Sequence, residues 1–372
     1  MEHKRDHSLD LLRIICMMMV VCAHLITWDG LFADDAQALT PMWLAGNTMF
    51  AFTLPCVNCF VLISGYFLCT AKFKLKRLVS LWVQVVTYSV VIYLLVSLFH
   101  EGTAFSVSGL LMRIPVITLE RYWFITAYVL MYAVSPFLNI AIHAMDKKTH
   151  ALCCLVLIGI FSVLANLVYT SDFSNINGGY CFLWFCIMYI IAAYIRLYVP
   201  TRVKHQKWMF PSYILCALII CGEKFLAYLI TPRIFGSVML EGLFYSYNSI
   251  LAVPMAVSLF QGFRGLQIRS PLCNKLIAFF APLTLAAYLI HGHMSFADIL
   301  LDAVGAKAYS DSILVFPYLV GATILIVFVS CQIEWLRKQI LHLCRIDRCI
   351  DRTCDRLQTK VTDLISAQDH SS

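Results

Sequence analysis

Apolar residues in this chain gather into long runs that recur from one end of the sequence to the other, each close to the roughly 20 residues a helix needs to cross a bilayer core. Ten runs are read, over 9–28, 43–69, 78–99, 122–143, 150–169, 181–199, 208–230, 243–262, 276–293 and 313–335. Backbone in lipid must satisfy its own hydrogen bonds, and these runs are too long and too little alternating for barrel strands. The pattern therefore predicts an all-α fold, a polytopic transmembrane bundle of about ten helices with short loops. It divides the chain into a membrane domain, 1–335, and a tail, 336–372.

Composition sharpens this picture. Of the 372 residues 61% are hydrophobic and 13% charged, against about 25% charged in soluble domains. With the N-terminus placed inside, 23 of the 28 Lys and Arg fall on the inner side, which predicts that both termini are cytoplasmic. They include Lys4, Arg5, Arg13, the 72–77 cluster, the 196–207 linker with Arg202 and Lys204, and the tail from Arg337 to Lys360. The net charge of +7 then reflects topology and attraction to anionic lipid, and calls for no nucleic-acid partner. The first run lacks a small-residue cleavage site and is read as helix one rather than a signal peptide. Most of the 16 cysteines lie in apolar runs, where the thiol behaves as a small hydrophobe. Cys344, Cys349 and Cys354 form no C-x-x-C pair, so no metal site is expected.

Ionisable side chains inside spans cost about 2.5 to 3.5 kcal/mol each on insertion scales, so those that occur direct attention. Helix one carries Asp10, Arg13 and His24. Eleven residues at 100° per residue bring Arg13 and His24 within about 20° of each other, separated by a rise of roughly 16 Å. They share a face, and Asp10 is placed to pair with Arg13 at i, i+3. Snorkelling of Arg13 and a helix-end position for His24 account for the same residues. Ser64 and Gly65 interrupt the second run, as small residues do where helices pack closely. The cations that follow, Lys72, Lys74, Lys76 and Arg77, suit either headgroup anchoring or a phosphorylated ligand. Arg121, Tyr122 and Trp123 open the fourth run on the outer side, where Tyr and Trp belong by default to the interfacial belt. His291 and His293 close the ninth at the level expected for His24; Glu223 and Lys224 have no functional account.

Together, R-x10-H from Arg13 to His24, FVLISG over 60–65 before a basic stretch, RYWFITAYVLMYAVSPFLN and the late YLIH resemble the acyltransferase-3 family of integral membrane acyltransferases. The likeness extends from Asp10 to about Gln332. It implies about ten helices and movement of an acyl group, often acetyl, from cytoplasmic acyl-CoA to a cell-surface or lipid-linked carbohydrate. Acetyl-CoA is then a co-substrate, with no permanently bound cofactor and no metal; the cell membrane is the location, membrane lipids are partners, and an oligomer is left open. By position, His24 matches the family's essential histidine and Arg13 its paired basic residue. Phe60, Ser64 and Gly65 match the FFxxSG motif, with Val61 in place of the second Phe. Lys74 and Arg77 match the following RxxR element only approximately, since Lys is a point charge where Arg forks two hydrogen bonds.

The implied roles are His24 as catalytic base, Arg13, Ser64, Gly65, Lys74 and Arg77 on the donor side, and Arg121, Tyr122, Trp123 and His291 on the acceptor side. A transporter or flippase is the alternative, although no internal repeat is found and Pro55, Pro136, Pro254 and Pro282 do not correspond between halves. In the tail, Leu343, Ile350, Leu357 and Leu364 at seven-residue spacing predict an amphipathic helix, lying on the inner leaflet or pairing with another chain.

Overall fold

The computed structural model describes residues 5–100, 104–168, 176–201 and 203–369, with backbone alone at 35, 203–205 and 360–369. Lys4 and Arg202 fall outside these residues, as do the side chains of Lys204, Lys360 and Leu364. Among the described residues the chain consists of helices and turns, with no strand. In order come α1 (His7–Thr27), α2 (Pro41–Thr53), α3 (Cys56–Leu68), α4 (Leu75–Phe99), α5 (Trp123–Ala144), α6 (Lys147–Ile158) and α7 (Phe182–Tyr198). They are followed by α8 (Val203–Phe235), α9 (Ala252–Arg264), α10 (Pro271–Phe280), α11 (Leu285–His291), α12 (Ala297–Val304), α13 (Val315–Leu343) and α14 (Ile346–Asp369). Among the described residues seven helical stretches are long and apolar enough to cross a membrane, and α10 with α11 makes a pair that passes the same test together, bent by 42°. The two remaining predicted runs correspond to α7, of 17 residues, and α9, of 13. The molecule is a polytopic helical bundle, as a multi-pass membrane protein requires.

Side-chain caps fix several helix starts. Asp6 accepts hydrogen bonds from the Ser8 and Leu9 amides, Thr40 from Trp43, Asp146 from Thr149 and Ser270 from Cys273, satisfying amides that have no partner inside their helix. Prolines explain where predicted runs divide. The run over 43–69 breaks at Leu54 and Pro55, and that over 276–293 breaks through Ala281–Leu283, which holds Pro282. Proline donates no amide hydrogen bond and its ring crowds the preceding turn. The run over 243–262 becomes helical only at Ala252, and the chain over 243–251 forms turns and bends.

Helix α1 is the hub of the bundle, packing against α2, α3, α9, α10, α11 and α13. Its Leu9, Leu12, Cys16 and Val21 are completely buried. The α3–α7 seam is close: a Cβ at Gly65 would lie 2.9 Å from the Ala192 Cβ and 3.0 Å from the Tyr189 Cα. Gly65 thus serves the close helix approach that small residues permit in membranes. On the periphery Phe99 is 82% and Phe137 72% exposed, a surface suited to acyl chains.

The tail folds back on its own chain. Helix α14 packs against α4 and α13, and Asp351 forms a 2.7 Å ion pair with Lys76 at the start of α4. Gln358 accepts from the Leu75 amide at 3.4 Å and donates to the Phe73 carbonyl at 3.3 Å. The amphipathic helix expected from the sequence is present and leans on α4 through polar contacts and buried Cys354. Leu343 (79% exposed) and Leu357 (48%) stay open to the surroundings.

Candidate active site

A cavity of about 860 Å³ lies along α1, and both Arg13 and His24 line it. The shared face expected from the helical period is therefore the face that meets the cavity. One end is cationic, with Arg13, Lys74, Lys76, Arg77, Arg337 and Lys338. The wall beyond is largely apolar, built from Met17, Val20, Phe60, Leu81, Phe124 and Leu285, and the far end holds His24, Trp123 and Tyr247.

Several of these cations are held in place by specific contacts. Buried Asp10 accepts from Arg13 Nη1 at 2.6 Å and from Arg5 Nε at 2.5 Å. The expected i, i+3 pair is formed, and it tethers the guanidinium at the cavity edge. The Tyr132 hydroxyl accepts from the Lys74 amide at 3.0 Å and donates to the Lys74 carbonyl at 3.2 Å, pinning the turn that leads into α4. Fully buried Glu334 accepts from Arg337 Nε and Nη2, each at 2.7 Å, and from the Tyr88 hydroxyl at 2.9 Å. A bidentate pair of this kind fixes the guanidinium plane as well as its place. Lys338 reaches across to the Pro282 carbonyl at 3.0 Å, on the bend between α10 and α11.

At the other end, His24 Nδ1 is 2.7 Å from His291 Nε2, and His291 Nδ1 is 2.5 Å from the Ala287 carbonyl. A carbonyl can only accept, so His291 carries its proton on Nδ1 and presents a lone pair at Nε2. His24 must then donate from Nδ1, which leaves its own Nε2 unprotonated. The tautomer assigned in this way makes His24 Nε2 a proton acceptor. The Trp28 ring stacks on the His24 imidazole, centroids 3.8 Å apart and 15° between planes, and restrains its rotation. His293 is used differently: Nε2 donates to the Ser89 carbonyl at 3.2 Å and Nδ1 accepts from the Ser295 amide at 3.2 Å.

The other residues picked out by the sequence separate into two groups. Ser64 and Trp123 line the cavity, Ser64 with its hydroxyl donated to the Phe60 carbonyl at 2.8 Å. Gly65, Arg121 and Tyr122 do not line it. Gly65 faces α7, Arg121 lies against Met294, and buried Tyr122 donates to the Leu289 carbonyl at 2.9 Å, bracing the turn before His291. Lys224 donates to Asn47 at 2.8 Å, and neither it nor Glu223 borders the cavity. Sequence reasoning missed Arg337 and Lys338, which it assigned to the tail, and the aromatic residues Tyr128, Tyr132, Tyr247 and Tyr288. The one legible signal was Glu334, a carboxylate inside the last apolar run with Arg337 at i+3.

Comparison with curated proteins and with solved structures returned no match. A family model described as an acyltransferase domain does match, over residues 6–335, which takes in every cavity residue except Arg337 and Lys338. The chain belongs to the acyltransferase-3 family and is a membrane acyltransferase.

Proposed function

We propose that the protein moves an acyl group, acetyl in the simplest case, from cytoplasmic acyl-CoA to a hydroxyl of a cell-surface or lipid-linked carbohydrate, in the cell membrane. The observation that carries this reading is one cavity with cations at one end and a proton-accepting imidazole nitrogen at the other. Arg13, Lys74 and Arg77, joined by Arg337 and Lys338, hold the donor phosphates. The rise from Arg13 to His24, about 16 Å along the helix, is of the order of an extended pantetheine arm, so the thioester reaches His24. Both termini are cytoplasmic in this reading, with the cationic mouth on the same side.

In the transfer, His24 Nε2 removes the hydroxyl proton as the oxygen attacks the thioester carbonyl. The carbon–sulfur bond breaks, and the departing CoA sulfur takes the same proton back from Nε2. Because the oxygen attacks the thioester directly, donor and acceptor are bound together. Initial rates with both substrates varied are expected to give intersecting lines, and parallel lines would refute the shared complex.

Sealed vesicles of both orientations, supplied with labelled acetyl-CoA, test the reaction and its direction. A membrane-impermeant maleimide on exposed Cys344 and Cys349 marks the face that bears the cationic mouth. Label is expected to enter glycan as a base-labile ester only when the donor is added on that face. Entry from the opposite face, or no label in glycan, would rule the proposal out.

A further inference from the structure

Three aromatic rings that take no part in the proton transfer form a wall at the His24 end of the cavity. Trp123 and Tyr247 line the cavity and stack on each other, centroids 6.0 Å apart at 21°. Tyr180 leans on both, 4.6 Å from Trp123 and 4.8 Å from Tyr247. It is itself 46% exposed, so the wall runs unbroken from the cavity to the protein surface.

Buried hydrogen bonds hold this wall in shape. The Tyr247 carbonyl accepts from Asn58 Nδ2 at 2.7 Å, and Asn58 Oδ1 accepts from Trp184 Nε1 at 2.9 Å. Both Asn58 and Trp184 are completely buried. The Tyr247 amide donates to the Gly178 carbonyl at 3.0 Å, and the loop carrying Tyr180 turns through left-handed backbone at Asn177, Gly178 and Gly179. Gly179 comes so near that a Cβ on it would sit 2.9 Å from the Tyr247 Cβ. Residues of an interfacial belt reach the headgroups one by one and need no such support.

We infer that Trp123, Tyr180 and Tyr247 are the binding platform for the acceptor sugar, a neutral pyranose laid with one C–H face on the rings and its reacting hydroxyl turned to His24. Aromatic faces are electron-rich and attract the weakly positive C–H groups of a sugar ring, while the tyrosine hydroxyls can bond its rim. None of the three side chains carries a charge, so the wall itself supplies no ion pair and suits an uncharged ring. That the bound sugar is the acyl acceptor rests on the reaction proposed above; the contact between ring and sugar does not.

Saturation-transfer NMR on the full chain in lipid nanodiscs tests the platform. The probes are methyl β-D-glucopyranoside, methyl β-D-galactopyranoside and methyl α-L-rhamnopyranoside, with glycerol as the hydroxyl control. At least one pyranoside should be saturated at its ring protons well above glycerol. Tyr180→Leu, at an exposed position, should cut that signal about three- to tenfold, the size expected for losing one aromatic contact, while Tyr180→Phe should keep most of it. Equal signals from wild type and Tyr180→Leu, or no pyranoside above glycerol, would overturn the inference. Acetyl transfer is measured on the same preparations. A protein that contacts pyranosides through Tyr180 yet transfers no acetyl group refutes the reaction and leaves the platform standing; one that transfers without ring-dependent contact does the reverse.

Discussion

His24→Ala is expected to lower acyl transfer by about 10²- to 10⁴-fold, the range set by a positioned general base, while the chain still inserts in the membrane. Removing the imidazole takes away the nitrogen whose lone pair is fixed by the hydrogen bonds from His24 to His291 and on to Ala287. Nothing else at that end of the cavity is held in the same state, since Trp123 offers only a donor and Tyr247 a weakly basic phenol. Insertion should survive because α1 loses a polar group and keeps its buried Leu9, Leu12, Cys16 and Val21. Binding of labelled acetyl-CoA should also survive, as the cations proposed to meet its phosphates lie at the opposite end. Ordinary turnover by this variant would remove His24 from the chemistry. A variant that neither binds donor nor reaches the membrane would point to a structural role instead.

The second large effect is expected from Lys74→Ala combined with Arg77→Ala, which should weaken acyl-CoA binding by about a hundredfold or somewhat more. Each charge-assisted hydrogen bond to a phosphate contributes about 1.5 to 3 kcal/mol; the lower part of that range applies here because both side chains are exposed in the free protein. The loss should fall on donor affinity, read by titration with labelled CoA, with little change in the apparent affinity for glycan. Lys74→Arg should bind donor at least as well as the natural residue, since a guanidinium can fork onto phosphate oxygens where an ammonium cannot. Unchanged CoA affinity in the double variant would return both residues to plain anchoring on lipid headgroups.

What the sequence made legible depended on interactions that stay within one helix. Spans follow from runs of apolar residues, and the common face of Arg13, His24 and Asp10 follows from 3.6 residues per turn; the structure has that face, and among the described residues seven of the ten runs are single stretches long enough to cross a membrane, with another as a bent pair. Contacts between distant helices left no such trace. The His24–His291 hydrogen bond joins residues 267 apart, and only packing of α11 on α1 brings them together. Arg337 and Lys338 read as ordinary positive-inside charges because their place at the cavity depends on Glu334 and on the Pro282 bend. The breaks at Pro55 and Pro282 were hidden by the hydrophobic signal, which registers apolarity and ignores the missing amide. Gly65 allowed two readings, close packing or ligand contact, and the proximity of Ala192 and Tyr189 accounts for the first.

The ion pair between Asp351 and Lys76 has a consequence for ionic strength. An anion arriving at the cationic mouth finds one ammonium already furnished with a counter-ion from its own chain, so binding exchanges one carboxylate for one phosphate instead of neutralising a bare charge. Exchange of that sort releases fewer small ions from solution, and screening acts mainly on charges that begin unpaired. Donor capture should accordingly depend less steeply on salt than six cations around one opening suggest, and truncation before Ile346 should steepen that dependence.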